Sequence, residues 1–229
     1  LRHSGVQIAN ITNEIANHDP DSGPLITVLD VVGEVSSEGA TEIFLYCPDR
    51  AHLFADSVVA LDHLGLHVVD ASIATSTNDF CFNSYIVLED DGKPVRKSER
   101  KREVYESLRL ALTQGTPPSS SPPRKMSRRL KQFVTRTKVI ITNPSDNAES
   151  ILQIVSSDRQ GLLSKIGSLF VELGIVVHQA RITTLGERVE DVFHISDLEG
   201  NPIRDRTRIN QIVSRLEERI DSEVTEAVA

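Results

Sequence analysis

The chain has 229 residues, enough for one large domain or two small ones. Its 39% hydrophobic and 25% charged composition is that of a globular protein and excludes a disordered or fibrous one. Lys and Arg total 25 against 33 Asp and Glu, a net charge of −8 that argues against nucleic acid as the principal partner. No apolar run reaches the roughly 18–20 residues that span a bilayer. Two cysteines, Cys47 and Cys81, cannot form a disulfide framework, and a reducing cytoplasm is the expected setting. The chain opens on Leu1 and its one methionine is Met126, so a piece of a longer protein is expected.

Residues 1–40 come first as an extension, with a short helix expected over Val6–Asn17 and a strand over Leu25–Val32. The strand has two readings: it pairs with Glu42–Cys47, or it caps an open sheet edge elsewhere. His18-Asp19 has the residue types of a metal ligand pair. However, only His3 precedes it, and Asp-Pro-Asp-Ser-Gly follows, which is turn chemistry. Asn10-Ile11-Thr12 matches a glycosylation sequon that matters only in a secreted protein.

An internal repeat organises the rest. Laying 49–75 on 158–184 aligns Asp49, Arg50, Leu53, Leu64, Gly65, Val68, Ala71, Ile73 and Thr75 with identical residues 109 positions later. Nine identities in 27 positions stand against about two expected by chance. In each copy a strand (Glu42–Cys47, Ile151–Ser156) leads through Asp-Arg into a helix with apolar residues on one stripe, including Leu162, Ile166, Leu169, Phe170 and Leu173. Gly65 and Gly174 stand where a left-handed residue ends each helix. Strands follow at Leu66–Thr75 with Phe80–Leu88, and at Ile175–Thr184 with Val189–Ser196. Second helices are expected over Glu99–Thr113 and Thr207–Ile220. Lys138–Thr142 is expected to close the first copy. The order β-α-β-β-α-β defines two ferredoxin-like α+β modules, antiparallel sheets with helices on one face. The first covers 41–113 with its closing strand near 138–142, and the second covers 149–229 with little room for a last strand. Between them, 114–136 is a Pro/Ser-rich and then basic linker. Arg124–Lys138 carries seven basic residues and no acid, and reads as a solvated entry to the next strand rather than a nucleic-acid patch.

The sequence holds no catalytic constellation. The repeated Asp-Arg loop places helix N-terminal N–H groups at a sheet edge, where they suit an anion such as an α-carboxylate. The competing reading is structural, with the Asp capping its helix and the Arg pairing on the surface. Gly161 would let a ligand approach the backbone of the second loop closely.

Those loops carry a family resemblance. Ser157-Asp158-Arg159-Gln160-Gly161-Leu162-Leu163 with Leu173-Gly174-Ile175 resembles the ACT-domain signature, and Pro48-Asp49-Arg50-Ala51-His52-Leu53-Phe54 is a drifted second example. Ala180 through Phe193, with Leu185-Gly186-Glu187-Arg188-Val189-Glu190-Asp191, is similar to the final ACT domain of bacterial bifunctional PII uridylyltransferase/uridylyl-removing enzymes. Asn78-Asp79-Phe80 and Arg128-Arg129-Leu130 fit the same family. Residues 1–40 fit the run-out of its HD domain.

The resemblance implies a glutamine-sensing tandem ACT region that controls nitrogen metabolism from the cytoplasm. It implies a catalytically silent chain without a cofactor or metal, whose parent carries a nucleotidyltransferase and a UMP-removing phosphodiesterase and uses magnesium and UTP. Glutamine, the parent's catalytic domains and, through them, the PII signal protein are the expected partners. A homodimer is also expected, a membrane or nucleic acid is not. The glutamine site is expected at Asp158, Arg159, Gln160, Gly161, Leu162 and Leu163, with Asp49 and Arg50 from the other copy and Gln179 or Arg181 reading the amide. Gln160-Gly161 and Ala51-His52 stand where the family carries Pro-Gly, and His52 crowds the first loop, so the second is favoured. Two other readings are a dimerisation module without a ligand and an RNA-binding ferredoxin-like module. For RNA, Phe80, Phe82, Tyr85 and Phe193 are too scattered to form a stacking surface.

Overall fold

The computed structural model describes residues 5–31, 38–114, 136–145 and 148–228. Residues 115–135 of the expected linker lie outside the described residues. Helix α1 (Gly5–Asn17) leads through a 3-10 turn to strand β1 (Leu25–Val31). Asp19 caps that turn by accepting from Asp21 N at 3.0 Å, and His18 Nε2 lies 2.8 Å from Gly23 O. Both side chains thus serve the turn.

The first module continues with β2 (Ala40–Pro48), α2 (Leu53–His63), β3 (Leu66–Ala74), β4 (Phe80–Glu89) and α3 (Ser98–Gln114). The second comprises β5 (Lys138–Thr142), β6 (Ser150–Ser157), α4 (Leu162–Glu172), β7 (Val176–Leu185), β8 (Arg188–Ser196) and α5 (Arg206–Val228). All eight strands form one antiparallel sheet in the order β1-β2-β4-β3-β7-β8-β6-β5.

Lys138–Thr142 does not close the first copy; it pairs with β6 of the second, Lys138 opposite Val155 and Thr142 opposite Ile151. Strand β1 closes the first copy by pairing with β2, Leu25 opposite Tyr46. Each outer strand therefore precedes its module. In a ferredoxin-like unit the fourth strand lies antiparallel to the first, so a strand arriving just before the first fills the same edge through a short hairpin connection. The second copy consequently has its last strand, although its C-terminal helix runs on through Val228.

Alternation explains which side chains face the helices. Ile43, Leu45, Tyr85, Leu152, Ile154 and Phe193 are fully buried under α2–α5 in one continuous core. The aromatic candidates for RNA stacking divide accordingly. Tyr85 and Phe193 are inside the core, whereas Phe80 stacks on Tyr46 and Phe82 meets it tilted, each with its centroid 5.0 Å away.

The repeat is arranged about a pseudo-two-fold axis. Ser72 of β3 pairs opposite Arg181 of β7, and these positions are equivalent at the 109-residue offset. Val58 of α2 meets Gly167 of α4, again an equivalent pair. A Cβ on Gly167 would lie 2.9 Å from Val58 Cγ2 and 3.1 Å from Ala55 Cα. The helices can approach this closely because one of the two central positions has no side chain. Phe54, Phe170 and Phe193 fill the space beside it in edge-to-face and tilted contacts.

Gly167→Ala is therefore expected to destabilise the chain by about 1–3 kcal/mol through overpacking. Adding Val58→Ala should recover part of the loss, because the two positions share one space. Urea unfolding of the two single variants and the double variant measures the coupling; additive effects would refute the close contact.

Candidate functional site

Both Asp-Arg loops turn into their helices through a left-handed residue, His52 at φ 69° and Gly161 at φ 77°. Neither α2 nor α4 receives a side-chain cap. The aspartates do other work. Asp49 accepts from Arg50 N at 2.9 Å and from Thr75 Oγ1 at 3.0 Å. Asp158 Oδ2 lies 3.2 Å from His67 Nε2, a contact between the modules. The arginines hold backbone carbonyls of each module's second helix. Arg50 donates to the carbonyls of Ala111 and Leu112 on α3, and buried Arg159 donates to that of Ile220 on α5. Arg50 also pairs with Asp56 at 2.6 Å. Their recurrence in both copies follows from this shared structural duty.

Two clefts flank the pseudo-two-fold axis, and they differ. The larger spans about 400 Å³ of open space counted out to solvent. The α2–β3 corner of the first module supplies Val58, Asp62, Leu66 and His67; the second supplies the 158–164 loop with Thr184 and Asp191. The mate has about 240 Å³ and is bordered by His52, Phe54, Phe170, Val171 and Ile175. By the repeat offset, Val171 occupies the place of Asp62 and His52 that of Gly161. One cleft carries Asp62, Asp158 and Asp191 beside His67, whereas the other keeps Arg50 and His52 and has no carboxylate in its lining.

Electrostatics reinforce the difference. Asp158 raises the pKa of His67 above 6.5 by hydrogen bonding and charge, outweighing the opposing effect of burial, and Asp90 and Asp62 add to the rise. Asp191 is 2% exposed. Burial pushes its carboxyl up to about 7; the Thr183 N–H, 3.3 Å away, opposes the rise and the Asp158 charge adds to it. Ionised and neutral forms are thus close in energy near neutral pH.

Of the expected site residues, Asp158, Arg159, Gly161, Leu162 and Leu163 line the larger cleft. Gln160 stretches across to the first module, donating from Nε2 to Asp90 Oδ1. Arg50 borders the smaller cleft, and Asp49 is engaged by Thr75. Gln179 and Arg181 are exposed on β7 while Ala180 and Ile182 between and beyond them are buried, so the two project from the sheet face away from the cleft. Asp62, His67 and Asp191 are cleft residues that the loop motif does not reveal. Asp191 had a signal: it interrupts the inward series Val189, Phe193, Ile195 with a charge.

Three outcomes follow for stability. His67 has a raised folded pKa, so its contribution is full below about 6.5 and is lost as pH rises through the folded value. His67→Gln should thus lower the melting temperature in acid and converge on wild type in alkali. Asp191 also has a raised pKa, and ionising it costs stability as pH climbs from about 3.8 to about 7. Asp191→Asn should raise the melting temperature at pH 8 and lose that gain by pH 4; a pH-independent difference would refute the burial penalty. Gly161→Ala should cost about 1–2 kcal/mol for a left-handed alanine, with its Cβ 3.4 Å from Asp62 Oδ1.

Comparison with known proteins now places this architecture. Residues 145–223 match the family described as the ACR family N-terminal ACT domain. The chain is 38% identical over 225 residues to the bifunctional uridylyltransferase/uridylyl-removing enzyme of Stutzerimonas stutzeri (strain A1501), covering 98% of this chain and 24% of that protein. The enzyme of the same name from Pseudomonas putida (strain W619) is 37% identical over 221 residues, with 96% and 24% covered. Aspartate kinase from Synechocystis gives a TM-score of 0.46 at 14% identity over 81% of this chain and 28% of its own, too slight a likeness to bear on function. The chain spans about a quarter of the length of the curated relatives it matches. The chain has the fold of two ACT modules in tandem and is similar over nearly all its length to about a quarter of the bifunctional uridylyltransferase/uridylyl-removing enzymes.

Proposed function

We propose that this region regulates a uridylyltransferase/uridylyl-removing enzyme by binding glutamine in the larger cleft at the module seam. The observation that carries the reading is a cleft built by both modules that offers both signs of charge to a zwitterion. The ligand's carboxylate meets His67 and the uncapped N-terminus of α4, where backbone donors and the helix dipole favour an anion. Its ammonium meets Asp158, with Asp62 and Asp191 behind it. Thr184 and Ser164 are the neutral polar side chains of the cleft and are the groups assigned to the amide. Asp191 gains from this arrangement, because a bound cation offsets the burial that disfavours its charge.

In this reading the ligand bridges α2 and β3 of one module to the 158–164 loop of the other, so occupancy biases their relative arrangement. Allosteric couplings of this kind are typically about 1–3 kcal/mol. The nucleotidyl transfer to the PII protein and the removal of UMP, with their UTP and magnesium, belong to the parent's catalytic domains. This chain is then the cytoplasmic sensor and performs no chemistry itself.

Calorimetry of the chain should give heat with glutamine and none with glutamate. Asp158→Asn should weaken glutamine binding about tenfold or more, the equivalent of a charged hydrogen bond of about 1.5–3 kcal/mol. Asp49→Asn, remote from the larger cleft, should leave the affinity intact. Silence with glutamine, or equal losses in the two variants, would overturn the assignment.

A further inference from the structure

The first module contains a feature that glutamine binding does not use. Cys47, near the end of β2, and Cys81, near the start of β4, are directly opposed in the antiparallel pair. They are the chain's two cysteines, and their Sγ atoms are 3.4 Å apart inside the core, at 7% and 1% exposure. Opposed residues on antiparallel strands have Cα atoms about 4.5 or 5.5 Å apart. Both separations fall within the roughly 4.4–6.8 Å that a disulfide spans. The backbone already has the geometry of a bridge, and the sulfurs need only close from 3.4 Å to about 2.05 Å.

The two sulfurs are not equivalent. The hydrogen bond from Cys81 and the positive charge of Arg50 lower the pKa of Cys47 despite its burial. That same hydrogen bond, together with burial, keeps Cys81 a thiol. Cys47, the more exposed sulfur and the one beside the Arg50 loop, is the attacking sulfur and Cys81 the resolving one. Its surroundings also tie the pair to the seam. Asp49 and Arg50 follow Cys47 by two and three residues. Thr75, bridged to Cys81, donates to Asp49 Oδ2 at 3.0 Å and contacts His178 O of the second module at 3.2 Å.

We propose that Cys47 and Cys81 are a redox-active dithiol that a hydroperoxide converts to a cross-strand disulfide. The Cys47 thiolate attacks a peroxide oxygen; the S–O bond forms, the O–O bond breaks, and hydroxide leaves and is protonated to water. Cys81 then gives its proton to the departing oxygen as its sulfur attacks the sulfenic sulfur. The S–S bond forms, the S–O bond breaks and a second water leaves. With hydrogen peroxide, two thiols lose two electrons and two protons and the peroxide becomes two waters. The bridge locks the β2–β4 end that carries the Asp49–Arg50 loop, adding an oxidant-sensitive input on the side of the seam opposite the larger cleft.

The folded chain is treated with hydrogen peroxide, denatured with an alkylating agent and weighed. Both thiols should disappear together, the intact mass should fall by two hydrogens, and digestion should release a cross-linked peptide containing Cys47 and Cys81 that dithiothreitol separates. Cys47→Ser and Cys81→Ser should show no such loss, the remaining thiol instead gaining oxygen or joining two chains. Persistence of two alkylatable thiols, or oxidation of each cysteine in wild type as in the single variants, would overturn the proposal. Wild type oxidised after denaturation serves as a reference independent of variant folding: bridging no faster in the folded chain than there would equally sink the idea.

Discussion

Everything in this molecule is organised around one steric fact: at the centre of the seam, Val58 fits against α4 because Gly167 presents no side chain. Equivalent positions of a repeat meet at a two-fold axis, and two valines there would separate the helices. With valine on one side and glycine on the other, α2 and α4 draw together, β3 and β7 pair edge to edge, and the two sheets become one. The phenylalanine cluster and the clefts beside it follow from that approach.

Breaking equivalence at the axis releases the flanks to diverge. Each cleft combines one module's loop with the other's helix–strand corner, so a substitution in either copy affects one cleft only. The charged cleft draws Asp62 and His67 from the first copy and Gly161 from the second. Its mate has Val171 and His52 in the corresponding places and no carboxylate in its lining. Duplicated modules thus need not carry duplicated sites. The arginines illustrate the opposite case: Arg50 and Arg159 both donate to backbone carbonyls of their module's second helix, at the equivalent positions Ala111 and Ile220.

Much of the fold was legible because periodicity and the repeat report local structure directly. Leu162, Ile166, Leu169 and Phe170 fall on one helical stripe and are buried as that spacing demands. The strand Lys138–Thr142 was visible as a strand, but nothing in its alternating pattern says which neighbour it joins; pairing depends on connection length and on an edge left vacant by another segment. The site was half legible. The Asp158–Leu163 loop stands out through its helix-start chemistry, whereas Asp62 and His67 belong to a different copy and reach the cleft only through the seam. Gln179 misled for a simpler reason: strand parity sends it to the opposite face from Ile182 and Thr184. Asp191 was readable in retrospect, since a charge at an inward strand position is costly unless it is used.

The edge strands have an implication for how such a chain arises. Because β1 precedes β2 and β5 precedes β6, each module is an unbroken stretch of sequence that completes its own sheet. As built, one tandem duplication of a single reading frame suffices to generate both halves. Later divergence, at the seam as elsewhere, then gives the two clefts different linings, without any step at which an incomplete sheet must fold.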